Sequence, residues 1–148
     1  MKKMIIILCI LNFTNYFKID YDEKISNHII IDKIKLNEEI YSYEESSVDK
    51  NIIYLKESEI ENDFYILAAH SGNSNISYFK NLDKLNIGDE IIMVINNEKN
   101  TFILEKIYFV RKTGKIILPV DSKNVLYLTT CDKYDRNKQL IIKCVKKV

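Results

Sequence analysis

Two residues with side chains suited to acyl transfer stand at the ends of apolar segments in this sequence. Cys131 follows residues 125–130 (VLYLTT), and His70 follows residues 64–69 (FYILAA). Each position ends a predicted strand and begins a polar loop, which exposes a side chain at the rim of a rigid scaffold. If the two strand ends are adjacent, the thiol can attack a carbonyl while the imidazole carries the protons. The pair therefore predicts a cysteine nucleophile with a histidine acid or base.

The residue types alone leave simpler interpretations open. A lone cysteine is often a small buried hydrophobic residue, and a lone histidine is often structural. Cys144 alternates with Leu140 and Ile142 on one face of the last predicted strand, so we expect it in the core. The three cysteines form no CxxC pair, which argues against a zinc knuckle or a thioredoxin-like site.

The segments that must position these residues are mostly strands. Short β-branched, aromatic or continuously apolar runs between polar turns predict strands. Such runs cover residues 28–34, 51–55, 64–69, 90–95, 101–110, 125–130 and 139–145. Between them we expect a polar loop at residues 44–50, short helical turns at residues 77–85 and a turn at residues 96–100. Because a closed sheet has no exposed edge, the economical fold class is an all-β barrel.

The first residues have the composition of a signal peptide or a membrane anchor. Lys2 and Lys3 precede an apolar run at residues 4–13 (MIIILCILNF). We interpret residues 1–19 as a signal or membrane anchor, residues 20–27 as a linker and residues 28–148 as one extracytoplasmic domain. A buried first strand is the alternative for the apolar run. The formal net charge of +1 gives no strong field for phosphates, so we expect no nucleic-acid partner.

Three segments of the chain occur in an order and spacing that a known family shares. Residues 66–89 (ILAAHSGNSNISYFKNLDKLNIGD) run from a strand through His70 to a Phe, a Leu-x-x-Leu and a Gly-Asp. Residues 126–131 (LYLTTC) are a strand that ends in Cys131, and residues 30–40 (IIDKIKLNEEI) include Ile-Asp-Lys-Ile. In these features the chain resembles the sortase family, from about residue 30 to residue 145. The family usually has Ile-Pro-Lys-Ile in the segment that corresponds to residues 30–40.

The resemblance implies an eight-stranded sortase-like β-barrel with one or two short helices, preceded by a hydrophobic anchor in the membrane. It implies a transpeptidation in which Cys131 attacks the Thr carbonyl of a C-terminal sorting signal similar to Leu-Pro-x-Thr-Gly on a surface protein. His70 would protonate the leaving amine, and an amine from the cell wall or a pilin would resolve the thioacyl enzyme. This chemistry needs neither a metal nor an organic cofactor.

The third catalytic residue of the family has no direct counterpart in this chain. The family has an Arg on the strand after the cysteine, where it stabilises the oxyanion. Aligning the last apolar run puts Gln139 in that register, whereas Arg136 lies earlier, in the loop. Either Arg136 folds back, or Gln139 donates a neutral hydrogen bond that is weaker by on the order of 1 kcal/mol or more. Arg111 follows a long strand and is expected to be solvated.

Two other functions stay open at this point. One is a membrane-anchored barrel of the same shape that binds peptides without turnover, because no Arg is well placed. The other is a hydrolytic cysteine peptidase on the same scaffold, which differs from a transpeptidase only in the acceptor.

Overall fold

A computed structural model describes residues 26–115 and 123–148 of the chain. Within them, eight strands form a closed barrel in the order β1-β2-β3-β4-β7-β8-β6-β5. The strands are β1 (Asn27–Ile31), β2 (Leu36–Ser42), β3 (Ile52–Tyr54), β4 (Phe64–Ala68), β5 (Glu90–Ile95), β6 (Glu98–Arg111), β7 (Val125–Cys131) and β8 (Lys138–Lys146). Two pairs are parallel, β2 with β3 and β4 with β7, and the other pairs are antiparallel. The predicted all-β barrel is therefore confirmed.

The predicted anchor at residues 1–19 lies outside the described residues, as does most of the predicted linker at residues 20–27. β1 begins at Asn27, next to the predicted start of the domain at residue 28. Among the described residues, no helix has the length and the apolar character that crossing a membrane would require.

β2 is the strand that the sequence prediction missed. We expected one strand over residues 28–34, but β1 ends at Ile31, and a 3-10 turn at Asp32–Ile34 reverses the chain. Lys35 follows this turn in the left-handed conformation (φ 55°), and β2 then pairs antiparallel with β1. Only Leu36 and Ile40 of β2 are buried. Its segment LNEEIYS therefore carries too few apolar residues to stand out as a strand.

The hairpin between β5 and β6 is tighter than predicted. Asn96 and Asn97 have φ values of 50° and 66° and form the whole connection, since Glu98 already pairs with Ile95. Asparagine tolerates the left-handed conformation that two-residue hairpin turns require. The polar residues Glu98 and Lys99, which we had assigned to the turn, begin β6 with exposed side chains.

The excursion between β4 and β5 contains one short helical turn, in agreement with the sequence prediction. A 3-10 turn at Leu82–Lys84 occupies the predicted helical segment at residues 77–85. Phe79, Leu82 and Leu85 pack into the barrel core. These buried side chains fix the path of the chain as it leaves the end of β4.

β4 and β7 lie side by side and are buried on both faces. Side chains of one face belong to the barrel interior, among them Tyr65, Leu67, Leu126 and Leu128. Side chains of the other face form an outer apolar cluster of Phe64, Ile66, Val125, Tyr127 and Ile141. Burial on both faces explains why the two strands are continuous hydrophobic runs in the sequence. The two strands end together at the candidate site.

Candidate active site

The parallel pairing of β4 with β7 brings the two candidate residues to the same edge of the sheet. The paired register ends with Ala68 opposite Thr129. Continued by two residues, it sets His70 beside Cys131. Neighbouring strands are about 4.8 Å apart, and alternate residues share a face. His70 and Cys131 therefore both continue the face that carries the outer apolar cluster.

Hydrogen bonds hold these segments together beyond the last residues of β4. Thr130 Oγ1 donates to the carbonyl oxygen of Ala69 at 2.7 Å. Ser71 Oγ donates to the carbonyl oxygen of Cys131 at 2.6 Å. Both Thr130 and Ser71 are buried, and the bond from Thr130 is shielded from water. The backbone on either side of His70 is thus fixed against the end of β7.

An open cleft of about 540 Å³ lies at this end of the barrel. It is lined by His70, Ser71, Gly72, Asn73, Lys112, Cys131, Asp132, Lys133 and Arg136. Cys131 is half-buried, and the His70 side chain is 40% exposed. The cleft therefore brings together three residues singled out in the sequence, His70, Cys131 and Arg136, in a space that a peptide can enter.

Asp49 holds one nitrogen of the His70 ring. His70 Nε2 lies 3.0 Å from Asp49 Oδ1. Because a carboxylate only accepts, Nε2 carries the hydrogen, and in the neutral ring Nδ1 keeps the free lone pair. Asp49 lies in the exposed loop between β2 and β3, where the backbone nitrogens of Lys50 and Asn51 both donate to Ser47 O at 3.0 Å. This turn orders the backbone of the loop that carries Asp49.

Lys112 contacts the sulfur of Cys131 directly, with Nζ 3.4 Å from Sγ. It follows the last residue of β6, which is separated from β7 by β8. Its backbone nitrogen donates to Asn137 O at 2.7 Å. Tyr108 and Val110 of β6 pack against the outer apolar cluster, and Lys112 continues their side of the strand. An ammonium group therefore stands beside the thiol.

The two candidates for the position of the family's Arg have different surroundings. Arg136 is exposed in the loop between β7 and β8 and lines the cleft with Cys131. Gln139 lies opposite Cys131 in the β7–β8 register, but its Nε2 donates to Thr129 Oγ1 at 2.7 Å. The cleft thus carries the guanidinium of Arg136, whereas the amide of Gln139 is engaged with β7. Arg111, at the end of β6, is exposed.

Cys144 has the opposite environment to Cys131. Its side chain is fully buried in the barrel interior, the position that the sequence predicted. Burial raises the pKa of the Cys144 thiol far above its usual range, and the charge of Glu105 adds to the effect. A buried neutral thiol is neither accessible nor nucleophilic.

A smaller apolar crevice of about 40 Å³ also borders Cys131. Phe79, Phe109, Tyr134 and Leu140 supply its apolar surface, and Tyr134 is 89% exposed. Within residues 26–115 and 123–148, no group of three or more His, Cys, Asp or Glu side chains is placed to hold a metal ion. Cys131 therefore stands between a polar cleft and an apolar crevice.

Sequence reasoning missed Asp49 and Lys112. Asp49 lies in the predicted polar loop at residues 44–50, and Lys112 lies in a segment that interrupts the strand pattern. The chain has 22 Lys and Arg and 21 Asp and Glu, so a charged residue in a loop carries no signal by itself. Both contacts depend on strands that are distant in the chain.

Comparison with models of protein families identifies the family of this chain. The family model described as the Sortase domain matches residues 29–147. The chain belongs to the sortase family. The matched residues include His70, Cys131 and Arg136, so the cleft lies inside the sortase domain. No curated protein sequence matches the chain.

Solved sortases share the fold. Sortase C1 of the GBS pilus island 1 is 20% identical, with a TM-score of 0.73 over 84% of this chain and 67% of that one. Sortase C1 from Streptococcus agalactiae is 25% identical, with a TM-score of 0.71 over 86% of this chain and 70% of that one. Sortase C from Clostridium perfringens, solved with the C-terminal cell wall sorting motif, is 24% identical, with a TM-score of 0.69 over 82% and 69%. The barrel is a sortase barrel.

Proposed function

We propose that this sortase is a cysteine transpeptidase that cleaves a C-terminal sorting signal through a thioacyl enzyme. The observation that carries the proposal is the common edge of β4 and β7, where Cys131 and His70 line one open cleft. A thiol and an imidazole on the same face of adjacent strands supply a nucleophile and a proton carrier. Family membership indicates the class of reaction, and these two side chains supply the reacting atoms.

In the first half of the reaction, the thiol of Cys131 gives its proton to His70. The sulfur attacks the scissile carbonyl carbon, and the π electrons move onto the oxygen. The tetrahedral intermediate then collapses, the carbon–nitrogen bond breaks, and His70 gives a proton to the departing amine. The product is a thioester on Cys131. Because Asp49 engages Nε2, Nδ1 is the ring nitrogen available for this exchange.

In the second half, an acceptor amine enters the cleft and gives up a proton to His70. Its nitrogen attacks the thioester carbonyl, and the carbon–sulfur bond breaks. The leaving sulfur takes the proton from His70, which restores the thiol of Cys131. Water in place of the amine would release a free acid instead. The outcome therefore depends on which nucleophile reaches the thioester first.

The substrate class that we propose is supported by analogy with a solved sortase. Clostridium perfringens sortase C was solved with the C-terminal cell wall sorting motif. By analogy, the substrate of this chain is a surface protein with a signal similar to Leu-Pro-x-Thr-Gly. The acceptor is an amine of a cell-wall precursor or of a pilin. This chemistry draws on the protein's own side chains and requires no cofactor.

We assign Arg136 to substrate binding. Its guanidinium lines the cleft with Cys131 and can donate to peptide carbonyls beside the scissile bond. Gln139, which occupies the register of the family's Arg, is the weaker candidate because its amide is bound to Thr129. A neutral amide would also stabilise negative charge less than a guanidinium does.

We place the catalytic domain outside the cytoplasmic membrane, with residues 1–19 as its anchor. Lys2 and Lys3 before the apolar run support an orientation with the N-terminus inside the cell. Proteolysis of intact protoplasts should remove the domain if this orientation is correct. Protection of the domain from added protease would contradict it.

The function is tested by a ligation assay with the full chain, a peptide that contains the sorting signal, and a glycine-based or lysine-based amine. The wild type should yield the ligated peptide, and Cys131→Ala should yield neither cleavage nor ligation. Cys144→Ala, which removes the buried thiol, should keep turnover per folded molecule. Mass spectrometry of the products gives the readout.

The same assay separates the alternatives. Cleavage without ligation to either amine would identify a hydrolytic peptidase. Peptide binding that is equal in the wild type and Cys131→Ala, with no cleavage by either, would identify a binding barrel. Ligation that survives Cys131→Ala would remove Cys131 from the mechanism.

A further inference from the structure

We propose that the Lys112 ammonium is a catalytic group of this site, which stabilises the oxyanion formed when Cys131 attacks a substrate carbonyl. The proposal deepens the proposed function and rests on it. It starts from one contact, the 3.4 Å between Lys112 Nζ and Cys131 Sγ. A cation beside the attacking atom is also beside the carbonyl carbon to which that atom bonds.

Lys112 is held in place by its backbone rather than by its charge. The hydrogen bond from its nitrogen to Asn137 O, 2.7 Å long, fixes it alongside the start of β8. Among the described residues, no carboxylate forms an ion pair with Lys112. Lys133, which also lines the cleft, is instead paired with Asp83 at 3.0 Å. The charge of Lys112 is therefore available to the reacting atoms.

The electron flow shows what this charge would do. As the carbon–sulfur bond forms, the π pair of the carbonyl moves to its oxygen, which is bonded to the carbon that Sγ attacks. An ammonium has three donors, so it can turn from the sulfur to that oxygen or contact both. Lys112 keeps its proton throughout, since the proton on the leaving amine comes from His70.

The other cleft cation has a different part in this scheme. Arg136 lies in the β7–β8 loop and lines the cleft, whereas the hydrogen bond to the sulfur comes from Lys112. Loss of Arg136 should therefore weaken peptide binding. Loss of Lys112 should slow acylation and leave peptide binding nearly unchanged.

The contact itself is tested without any substrate, by comparing two alkylating reagents on the native full chain. Iodoacetate is an anion and iodoacetamide is neutral, and both react with the thiolate, so the thiolate fraction cancels in the ratio of their rates. Lys112→Met should lower the iodoacetate to iodoacetamide ratio at Cys131 by roughly two- to fivefold. Lys112→Arg should retain the ratio. Lys115→Met, an exposed lysine nearby, is the matched control.

The catalytic role is tested by single-turnover acylation with the sorting-signal peptide, followed by the mass of the peptide that contains Cys131. Lys112→Met should slow acylation on the order of tenfold or more, with peptide affinity within about twofold of the wild type. Lys112→Arg should recover most of the rate. Arg136→Gln should mainly raise the peptide concentration needed for half-maximal acylation.

The outcomes distinguish failure of the role proposed for Lys112 from failure of the proposed transpeptidase function. An unchanged reagent ratio in Lys112→Met, or a ratio that falls only in Arg136→Gln, overturns the assignment of Lys112. A lowered ratio with unchanged acylation also overturns it, since the contact then has no part in catalysis. Alkylation of Cys131 with no acylation by the wild type would instead refute the transpeptidase function itself.

Discussion

Cys131 and Cys144 lie on neighbouring strands of one barrel, and their surroundings differ in every respect that governs thiol chemistry. Cys131 ends β7, lines an open cleft and touches Lys112. Cys144 lies within β8, opposite Leu126, where the barrel interior seals it completely. The reactivity of a cysteine in this barrel therefore depends on the face of the strand that it occupies and on its distance from the end of that strand.

The largest expected effect is the difference in alkylation between the two thiols. In the native protein Cys131 should react freely, whereas Cys144 should react only through unfolding, slower by on the order of a thousandfold or more. Peptide mapping after timed exposure to iodoacetamide measures both rates. Comparable alkylation rates for Cys131 and Cys144 would contradict the difference between the open cleft and the sealed barrel interior.

His70→Asn should lower ligation activity on the order of a hundredfold or more, because the proton carrier is lost while the cleft keeps its shape. His28→Asn is the matched control, since His28 lies near the start of β1 and does not line the cleft. Its turnover per folded molecule should match the wild type. Steady-state ligation rates give the comparison, and equal losses in the two variants would deny His70 a special role.

Cys144→Ser should lower the free energy of unfolding by about 1–3 kcal/mol, because it places a hydroxyl in an apolar interior without a designed partner. Cys131→Ser, at the half-exposed end of β7, should change it by less than about 0.5 kcal/mol. Urea denaturation of the two variants measures the difference. A larger loss in Cys131→Ser than in Cys144→Ser would contradict the assignment of faces.

Asp49→Asn should reduce ligation about two- to tenfold, because it removes the negative charge that favours a hydrogen on Nε2 of His70. The nitrogen-15 shifts of the His70 ring should report a changed tautomer balance. Asp49→Glu should restore part of the activity, and Asp32→Asn, an exposed acid beside β1, should change nothing. An unaltered ring spectrum in Asp49→Asn would remove Asp49 from the mechanism.

The smallest effect concerns an ion pair away from the cleft. Lys33 Nζ lies 2.7 Å from Asp89 Oδ2, and this bond, with that from the Asn86 backbone nitrogen, holds the pKa of Asp89 below its usual value. A lowered folded-state pKa means that the unfolded chain binds the proton more tightly. The stabilisation is therefore present above the ordinary pKa and is lost as the pH falls through the folded value.

Asp89→Asn should accordingly cost about 0.5 kcal/mol near neutral pH, and the difference from the wild type should vanish in strong acid. Urea denaturation of both proteins, near neutral pH and in strong acid, measures this difference in the free energy of unfolding. Ligation activity should be unaffected in Asp89→Asn. A difference that grows as the pH falls would have the wrong sign for this ion pair.

The sequence was sufficient for the elements whose signal is local. β4 and β7 are continuous apolar runs because both faces are buried, and the residues that follow them, His70 and Cys131, mark the point where each run stops. Cys144 was predicted in the core from its alternation with Leu140 and Ile142, and it lies there. Periodicity of two thus carries information on both strand and face.

The remainder depended on information that is not local. β2 buries only Leu36 and Ile40, and its identity as a strand comes from pairing with β1 and β3. Lys112 reaches Cys131 because the barrel order places β6 only two strands from β7, with β8 between them. No spacing along the chain encodes such a contact, since it depends on the order of strands around the barrel.

The convergence of His70 and Cys131 is the central claim, and a cross-link tests it most directly. Disulfides need Cα atoms about 4.4–6.8 Å apart, a separation that residues side by side on adjacent strands satisfy. In the full chain, His70→Cys should form a disulfide with Cys131 on mild oxidation, identified as a linked peptide pair, whereas His28→Cys should not. Failure of the His70→Cys variant to link to Cys131, or equal linkage from His28→Cys, would contradict the shared site.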